Sequence, residues 1–251
     1  MSLLRKKMAR IFGPSEVEAK ILDMLGGQAR WFETREDIVS QGERTWKCCL
    51  LLEGMVCRYR TLNGGRRQIL AFQYPGDVFD SYSFVLEVLD HSICAQMRSR
   101  IAFIPHERMR QVTEEFPRLA RAFWKDTMID AAVFAEWMTN IRSKPPHAQI
   151  AHLICEVYTR YDVVGLAEGS CFPWPISPSD ASEALGLAPD YVKVILEDFH
   201  ARGWVTILQG KMTLHDFTSL QREAEFDRSY LHLHSPKGAA HRLSSDWIRP
   251  L

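Results

Sequence analysis

At 251 residues the chain has room for two ordinary domains. Apolar residues make up 46% and charged residues 25%, which fits a globular protein and excludes a disordered chain. Thirty-one Lys and Arg balance 31 Asp and Glu, so overall charge gives no bias toward nucleic acid.

The apolar runs Cys48–Leu52 and Ala131–Ala135 are far shorter than the roughly 20 residues that cross a bilayer. Met1–Gly13 carries Arg5, Lys6, Lys7 and Arg10 but lacks the apolar core of a secretory signal. It reads as a solvated basic terminus, and the chain is expected to stay in the cytoplasm without a membrane partner. There the six cysteines should be reduced thiols. They form no CxxC pair and suit core packing. Cys48 and Cys49, adjacent on a strand, should point to opposite faces, and Cys57 or Cys94 is left as the candidate for a thiol switch.

From about Gln28 to Pro105 short strands alternate with turn residues: Lys47–Glu53, Gly54, Met55–Arg60, Asn63-Gly64-Gly65, Arg66–Tyr74, Pro75-Gly76-Asp77. This is the grammar of a small β-roll. Aromatic residues Trp31, Phe72, Phe79, Tyr82 and Phe84 suit its core. From Pro117 to Ser143 there is no Gly or Pro beyond the first residue. There Ala120, Phe123, Thr127, Ala131, Phe134, Met138 and Ile141 recur at steps of three and four. A helix of about 25 residues follows, and Trp124, Met128, Ala132, Ala135 and Trp137 widen its apolar surface. One partner would be the roll; the other is a monomer core or the same helix of a second chain.

Pro145-Pro146 ends that helix and marks a hinge. Beyond it, His147–Tyr161 reads as a helix, Phe172–Ile176 as a short strand, and Val205–Leu208 with Lys211–Leu214 as a hairpin across Gln209-Gly210. Between them, Ser177 or Ser179 can cap a helix over Asp180–Leu185, Gly186 permits a tight turn, and Pro189 opens a helix over Asp190–Arg202. That is a winged helix-turn-helix pattern, with an ordinary helical hairpin as its alternative. After Leu233 the composition suggests a mobile tail. The expected class is α+β: residues 1–116 a terminal segment and roll, 117–144 the long helix, 145–234 the winged unit, and 235–251 the tail.

Several ungapped blocks make the chain resemble the Crp/Fnr superfamily from about Glu16 to Leu233, nearest the alphaproteobacterial nitrogen-fixation and oxygen-response branch. They are Tyr74-Pro75-Gly76-Asp77, Asp130–Trp137, Ile150–Glu156, Ala184-Leu185-Gly186-Leu187, Phe226-Asp227 and Tyr230–Leu233. The resemblance implies a cyclic-nucleotide-binding-like sensor roll and a homodimer through Phe123, Thr127, Ala131, Phe134, Trp137, Met138 and Ile141. It also implies a transcription regulator that binds double-stranded DNA through Ser177, Ser179, Ala188, Pro189, Asp190, Tyr191, Lys193, Val194 and Lys211. RNA polymerase is a further implied partner. An effector pocket would involve Asp80, Ser81, Tyr82, His91, Ser92, Phe134 and Ala135, with the effector itself unnamed.

Members that bind cyclic AMP carry a Gly-Glu pair for ribose and an Arg-Ser or Arg-Thr pair for phosphate. Here those stretches read Asp77–Tyr82 and His91-Ser92, and the adenine-facing hydroxyls are replaced by Phe134 and Ala135. A neutral imidazole does not replace a bidentate guanidinium, so cyclic AMP control is not expected. No cysteine precedes Cys48, which argues against an iron–sulfur sensor. Reading-helix arginines of relatives are replaced by Pro189 and Val194, and over Pro175–Asp216 six acids outnumber three bases. These departures frame the alternative of a degenerate sensor or protein-interaction module with weak DNA binding. A cupin-type metal enzyme is the competing class, but it needs clustered histidines and a glutamate, and the roll has only His91. The tight pair His232-x-His234 lies near the tail. No cofactor and no metal are expected.

Overall fold

The computed structural model describes residues 1–233 apart from Glu87. The expected tail, and His234 of the histidine pair, lie outside the described residues.

Two helices precede the roll, α1 (Leu3–Ile11) and α2 (Glu16–Met24), where sequence patterning gives only a basic terminus. Each has a serine cap. Ser2 Oγ accepts from Arg5 N–H, and Ser15 with Glu18 forms a reciprocal capping box.

Seven strands build the roll: β1 (Ala29–Phe32), β2 (Asp37–Val39), β3 (Lys47–Glu53), β4 (Val56–Thr61), β5 (Arg67–Gln73), β6 (Ser92–Ala95) and β7 (Ser99–Pro105). They form two antiparallel sheets, ordered β1-β7-β3 and β2-β6-β4-β5, with a one-turn helix α3 (Ser83–Leu86) between β5 and β6. Strand alternation splits their side chains between two cores. Cys49, Leu51, Val56, Phe79, Ile93 and Ile101 fill the inside of the roll. Cys48, Leu50, Cys57, Cys94 and Ala102 face outward and join a larger core shared with the helices. Cys48 and Cys49 thus do take opposite faces.

After α4 (His106–Glu115) comes the long helix α5 (Pro117–Ser143), 27 residues and roughly 40 Å by the usual rise. Its inner face is Leu119, Ala122, Phe123, Asp126, Ile129, Val133, Trp137 and Asn140. Phe123 and Trp137, expected at a dimer interface, are therefore corrected to the chain's own core. Trp137 meets Phe72 edge-on at 6.0 Å and donates from Nε1 to Glu156 at 3.1 Å. Successive residues of a helix lie about 100° apart, so the stripe runs along the border of the buried face: Phe123 is covered there, whereas Phe134, Met138 and Ile141 stay exposed. Trp124, Met128, Phe134, Met138 and Ile141 are exposed.

Lys144 is extended, and α6 (Pro146–Val163) begins on Pro146 in its first turn. The winged unit follows: β8 (Cys171–Pro173), α7 (Pro178–Leu185), α8 (Pro189–Ala201), β9 (Val205–Leu208), β10 (Lys211–Leu214), α9 (Phe217–Ala224) and a 3-10 turn at Arg228–Leu231. Its sheet is ordered β8-β10-β9.

Two buried clusters weld these parts together. Glu156 on α6 accepts from Trp137 Nε1 and, at 2.7 Å, from Tyr230 O–H. His152 stacks on Tyr230, with ring centroids 5.8 Å apart. The second cluster corrects the reading of the basic terminus. Lys7 is buried, with Nζ 2.8 Å from Asp77 and 2.7 Å from Asp126, and Arg160 of α6 stands 2.9 Å from Asp77. Gly76 (φ 97°) allows the turn carrying Asp77 to approach α1, since a Cβ there would lie 2.8 Å from the Leu3 carbonyl oxygen. Among the described residues no helix is long and apolar enough to cross a membrane.

Candidate nucleic-acid interface

Ser177 opens α7, accepting from Asp180 N–H at 3.2 Å and donating to Asp180 Oδ2 at 2.6 Å. Its hydroxyl is occupied by this cap. Gly186 ends α7 in the left-handed region (φ 73°), and Ala188 precedes Pro189 in the first turn of α8. Val192, Ile195 and Phe199 of α8 are buried, which turns the opposite face outward. On that face Ala188, Pro189, Asp190, Tyr191, Lys193 and Val194 are exposed, together with Ser179. Lys193 Nζ lies 3.9 Å from Glu197, a loose pair on an exposed surface. In the hairpin, Gln209 and Gly210 both have positive φ (50° and 73°), the signature of a tight primed turn. Lys211 is exposed beside it, 3.8 Å from Glu168.

The acidity of this region is partly cancelled by the roll, through residues that sequence reasoning missed. Arg67 on β5 contacts Glu183 at 2.7 Å and Asp180 at 3.2 Å, and Arg35 contacts Asp180 at 2.6 Å. Gln68 donates to the Glu183 carbonyl at 2.6 Å and Gln96 to the Pro175 carbonyl at 3.2 Å. Burial pushes the Asp180 carboxyl up, but hydrogen bonds from Ser177 and Gln96 and the charge of Arg35 outweigh it and hold it below the usual range. With Asp180 and Glu183 neutralised, four acids remain against Lys193, Arg202 and Lys211 over residues 175–216. Strand alternation gave the only available signal, because it puts Arg67 on the outer face with Ile69.

Of the expected effector residues, the structure gathers Asp80, Tyr82, His91 and Phe134 but not Ser92 or Ala135. Ser92 shares the outer face of β6 with Cys94, by alternation, and accepts from Gln41 N–H; Ala135 is exposed on α5. Ser81 Oγ lies 3.5 Å from Thr127 Oγ1. The cluster is organised by Arg58, another residue the sequence reading did not single out. Its buried guanidinium donates from Nε to the Phe79 carbonyl at 3.1 Å and from Nη2 to Asp130 at 2.8 Å. It lies over the Tyr82 ring at 5.1 Å, while Tyr82 O–H meets His91 Nε2 at 2.6 Å and His91 Nδ1 meets Asp90 at 2.7 Å. Asp80 is fully buried; burial pushes it up, against a Cys49 N–H hydrogen bond and Arg58, to about 7. Instead of an open polar pocket there is a filled ionic plug tied to α5. Beside it, Tyr82, Phe84, Leu86, Met109, Phe123 and Trp124 line a mainly apolar cavity of about 410 Å³. Trp31 is exposed and Phe72 and Phe79 are core, so the aromatic residues divide between roles.

Residues 29–116 match the family described as the cyclic nucleotide-binding domain. Over 191 residues, 76% of this chain and 79% of the relative, the sequence is 25% identical to the nitrogen fixation regulation protein FixK of Bradyrhizobium diazoefficiens. A probable transcriptional activator of Rhizobium leguminosarum is 24% identical over 65% of this chain and 67% of its own. Among solved structures, FixK2 of Bradyrhizobium japonicum shares the fold with a TM-score of 0.69 at 21% identity, covering 78% of this chain and 96% of that one. A CRP-family transcriptional regulator of Thermus thermophilus gives 0.62 at 20% identity, covering 78% and 97%. These relatives are regulators rather than enzymes, and the chain, with its cyclic nucleotide-binding domain, is a homologue of the Crp/Fnr-type transcription regulators.

Proposed function

We propose that the chain is a sequence-specific DNA-binding transcription regulator of the cytoplasm, acting as a homodimer on a palindromic site and, with its bound DNA, meeting RNA polymerase. The observation that carries this is the open outer face of α8, from Ala188 to Val194, on a capped and cored helix-turn-helix beside an exposed wing. In this motif the N-terminal half of the second helix enters the major groove. In this reading Lys193 would reach a base edge or phosphate, Asp190 would accept from a cytosine amino group, and Tyr191 would meet phosphate or a thymine methyl. Ser179 and Lys211 suit backbone phosphates.

Dimerisation through the outer face of α5 is supported by its exposed seam of Ala131, Phe134, Met138 and Ile141, with the half-buried Thr127 beside it, to which Trp124 and Met128 add. Two such chains related by a two-fold axis would present two reading helices about 34 Å apart. Independence from cyclic AMP is supported by the plug: Arg58 is already engaged by Phe79 and Asp130, and His91 by Tyr82 and Asp90. Calorimetry showing saturable micromolar binding of cyclic AMP would contradict that part.

Lys193→Ala tests the DNA reading. If Lys193 reads a base, affinity falls by about 1–3 kcal/mol; if it meets phosphate, the salt slope drops by about one unit. Unchanged affinity and slope would remove α8 from the interface. That result would favour a protein-interaction module, a reading supported by the exposed apolar side chains Tyr191, Val194, Ile207 and Leu208 around the same face.

A further inference from the structure

Cys57 on β4 and Cys94 on β6 are directly opposed partners in an antiparallel ladder, and their sulfurs stand 3.4 Å apart. Opposed residues of such a ladder have Cα separations of about 4.5–5.5 Å, inside the range a disulfide spans. Both side chains leave the roll on its outer face and sit in the core shared with the winged unit. Arg67 Nη1 lies 3.3 Å from Cys94 Sγ, and the same guanidinium holds Glu183 and Asp180 of α7. The dithiol therefore lies beneath the contact that docks the helix-turn-helix on the roll.

We propose that Cys57 and Cys94 are a redox-modification site, oxidised by hydroperoxides to an intramolecular disulfide and shielded while α7 is docked. The cation and the neighbouring thiol set the roles of the two sulfurs. The hydrogen bond from Cys57 holds the Cys94 thiol below its ordinary value, against burial and with help from Arg67, while that same contact and burial push Cys57 well up. Cys94 is the thiolate nucleophile. It attacks one oxygen of the hydroperoxide; an S–O bond forms, the O–O bond breaks, and the leaving alkoxide takes a proton to become an alcohol, or water from hydrogen peroxide. Cys57 sulfur then attacks the Cys94 sulfenic acid; the S–S bond forms, the S–O bond breaks, and hydroxide leaves with the Cys57 proton as water. Two electrons pass from the two thiols to the peroxide.

Both thiols are buried, Cys57 at 0% and Cys94 at 1% exposure, so the oxidant reaches them when Arg67 and α7 move away. Arg67 and Glu183 are both partly exposed, and an ion pair of that kind is worth at most about 1 kcal/mol, so removing it should favour opening by a few-fold without unfolding the docked helix. Among the free cysteines Cys171 alone is half-buried rather than buried, which makes it the internal control for reaction by simple exposure.

The test treats the purified full-length chain with hydrogen peroxide and maps peptides under non-reducing conditions. The expected result is a Cys57–Cys94 linked pair, loss of two of the six thiols, and recovery with a reductant. In Cys57→Ser a sulfenic-acid trap should label Cys94, and in Cys94→Ser Cys57 should stay unlabelled. Glu183→Gln, which touches neither sulfur, should speed linkage several-fold by loosening the docked helix. Oxidation of Cys171 with Cys57 and Cys94 left reduced would overturn the site. An unchanged linkage rate in Glu183→Gln would overturn the shielding.

Discussion

Two ionic contacts hold the winged unit against the rest of the chain, and they are built differently. On one side, Lys7, Asp77, Asp126 and Arg160 are sealed in a buried cluster joining α1, the Pro75-Gly76-Asp77 turn, α5 and α6. On the other, Arg67 reaches Glu183 across a partly wet surface, and the buried Asp180 has two cations, Arg35 and Arg67, whose own side chains are 47% and 17% exposed. A buried charge that loses its partner costs several kcal/mol, whereas a surface pair gives about 1 kcal/mol or less. The difference makes α6 a fixed attachment and α7 a yielding one. A regulator needs both.

Lys7→Met should break the fixed contact. Asp77 keeps Arg160, but Asp126 loses its cation while remaining buried, and a loss of about 3–5 kcal/mol in denaturant unfolding is expected. An unaltered midpoint would show that the cluster contributes no net stability.

The plug at Asp80 offers a second, pH-dependent break. Its folded value of about 7 lies above the ordinary 3.8, so between about pH 4 and 7 the folded state binds more proton than the unfolded one. Its contribution to stability is therefore full below about pH 4 and is lost as pH rises through 7. The window of three units corresponds to at most about 4 kcal/mol. Asp80→Asn keeps an acceptor for Cys49 N–H and cannot ionise, so its stability should be flatter over that window and exceed the parent's at pH 8. Parallel pH profiles for the two proteins would contradict the assignment.

The smallest effect belongs to the yielding contact. Glu183→Gln should cost less than about 1 kcal/mol of global stability, because its partner Arg67 keeps Asp180. Hydrogen exchange in α7 should nevertheless rise selectively. Protection lost evenly across α6 and α7 would show that the two contacts yield together.

Much of this was legible in the sequence where local chemistry speaks. The hairpin Val205–Leu208 and Lys211–Leu214 and the long helix from Pro117 to Ser143 fall where periodicity and turn residues place them. The resemblance blocks also made sense in space, since Trp137, His152, Glu156 and Tyr230 come from three separate blocks and meet in one cluster. Long-range pairings were not legible. Nothing local in Lys7 distinguishes it from Lys6, and only the distant Asp77 and Asp126 make it a buried cation. Arg58 and Arg67 look alike on neighbouring strands, yet one enters the roll and the other leaves it. The apolar surface of α5 misled for a geometric reason, because it is wide enough to serve two faces: Trp137 and Met138, about 100° apart on the helix, fall one inside and one outside.

The central claim is that two copies of this chain read DNA through α8. Its most direct test is selection from random duplex DNA on the purified chain at low salt, with the same sample sized by light scattering. A dimer that enriches an inverted repeat with half-site centres about 34 Å apart is the predicted result. A monomer, or a dimer that enriches no sequence, would contradict it.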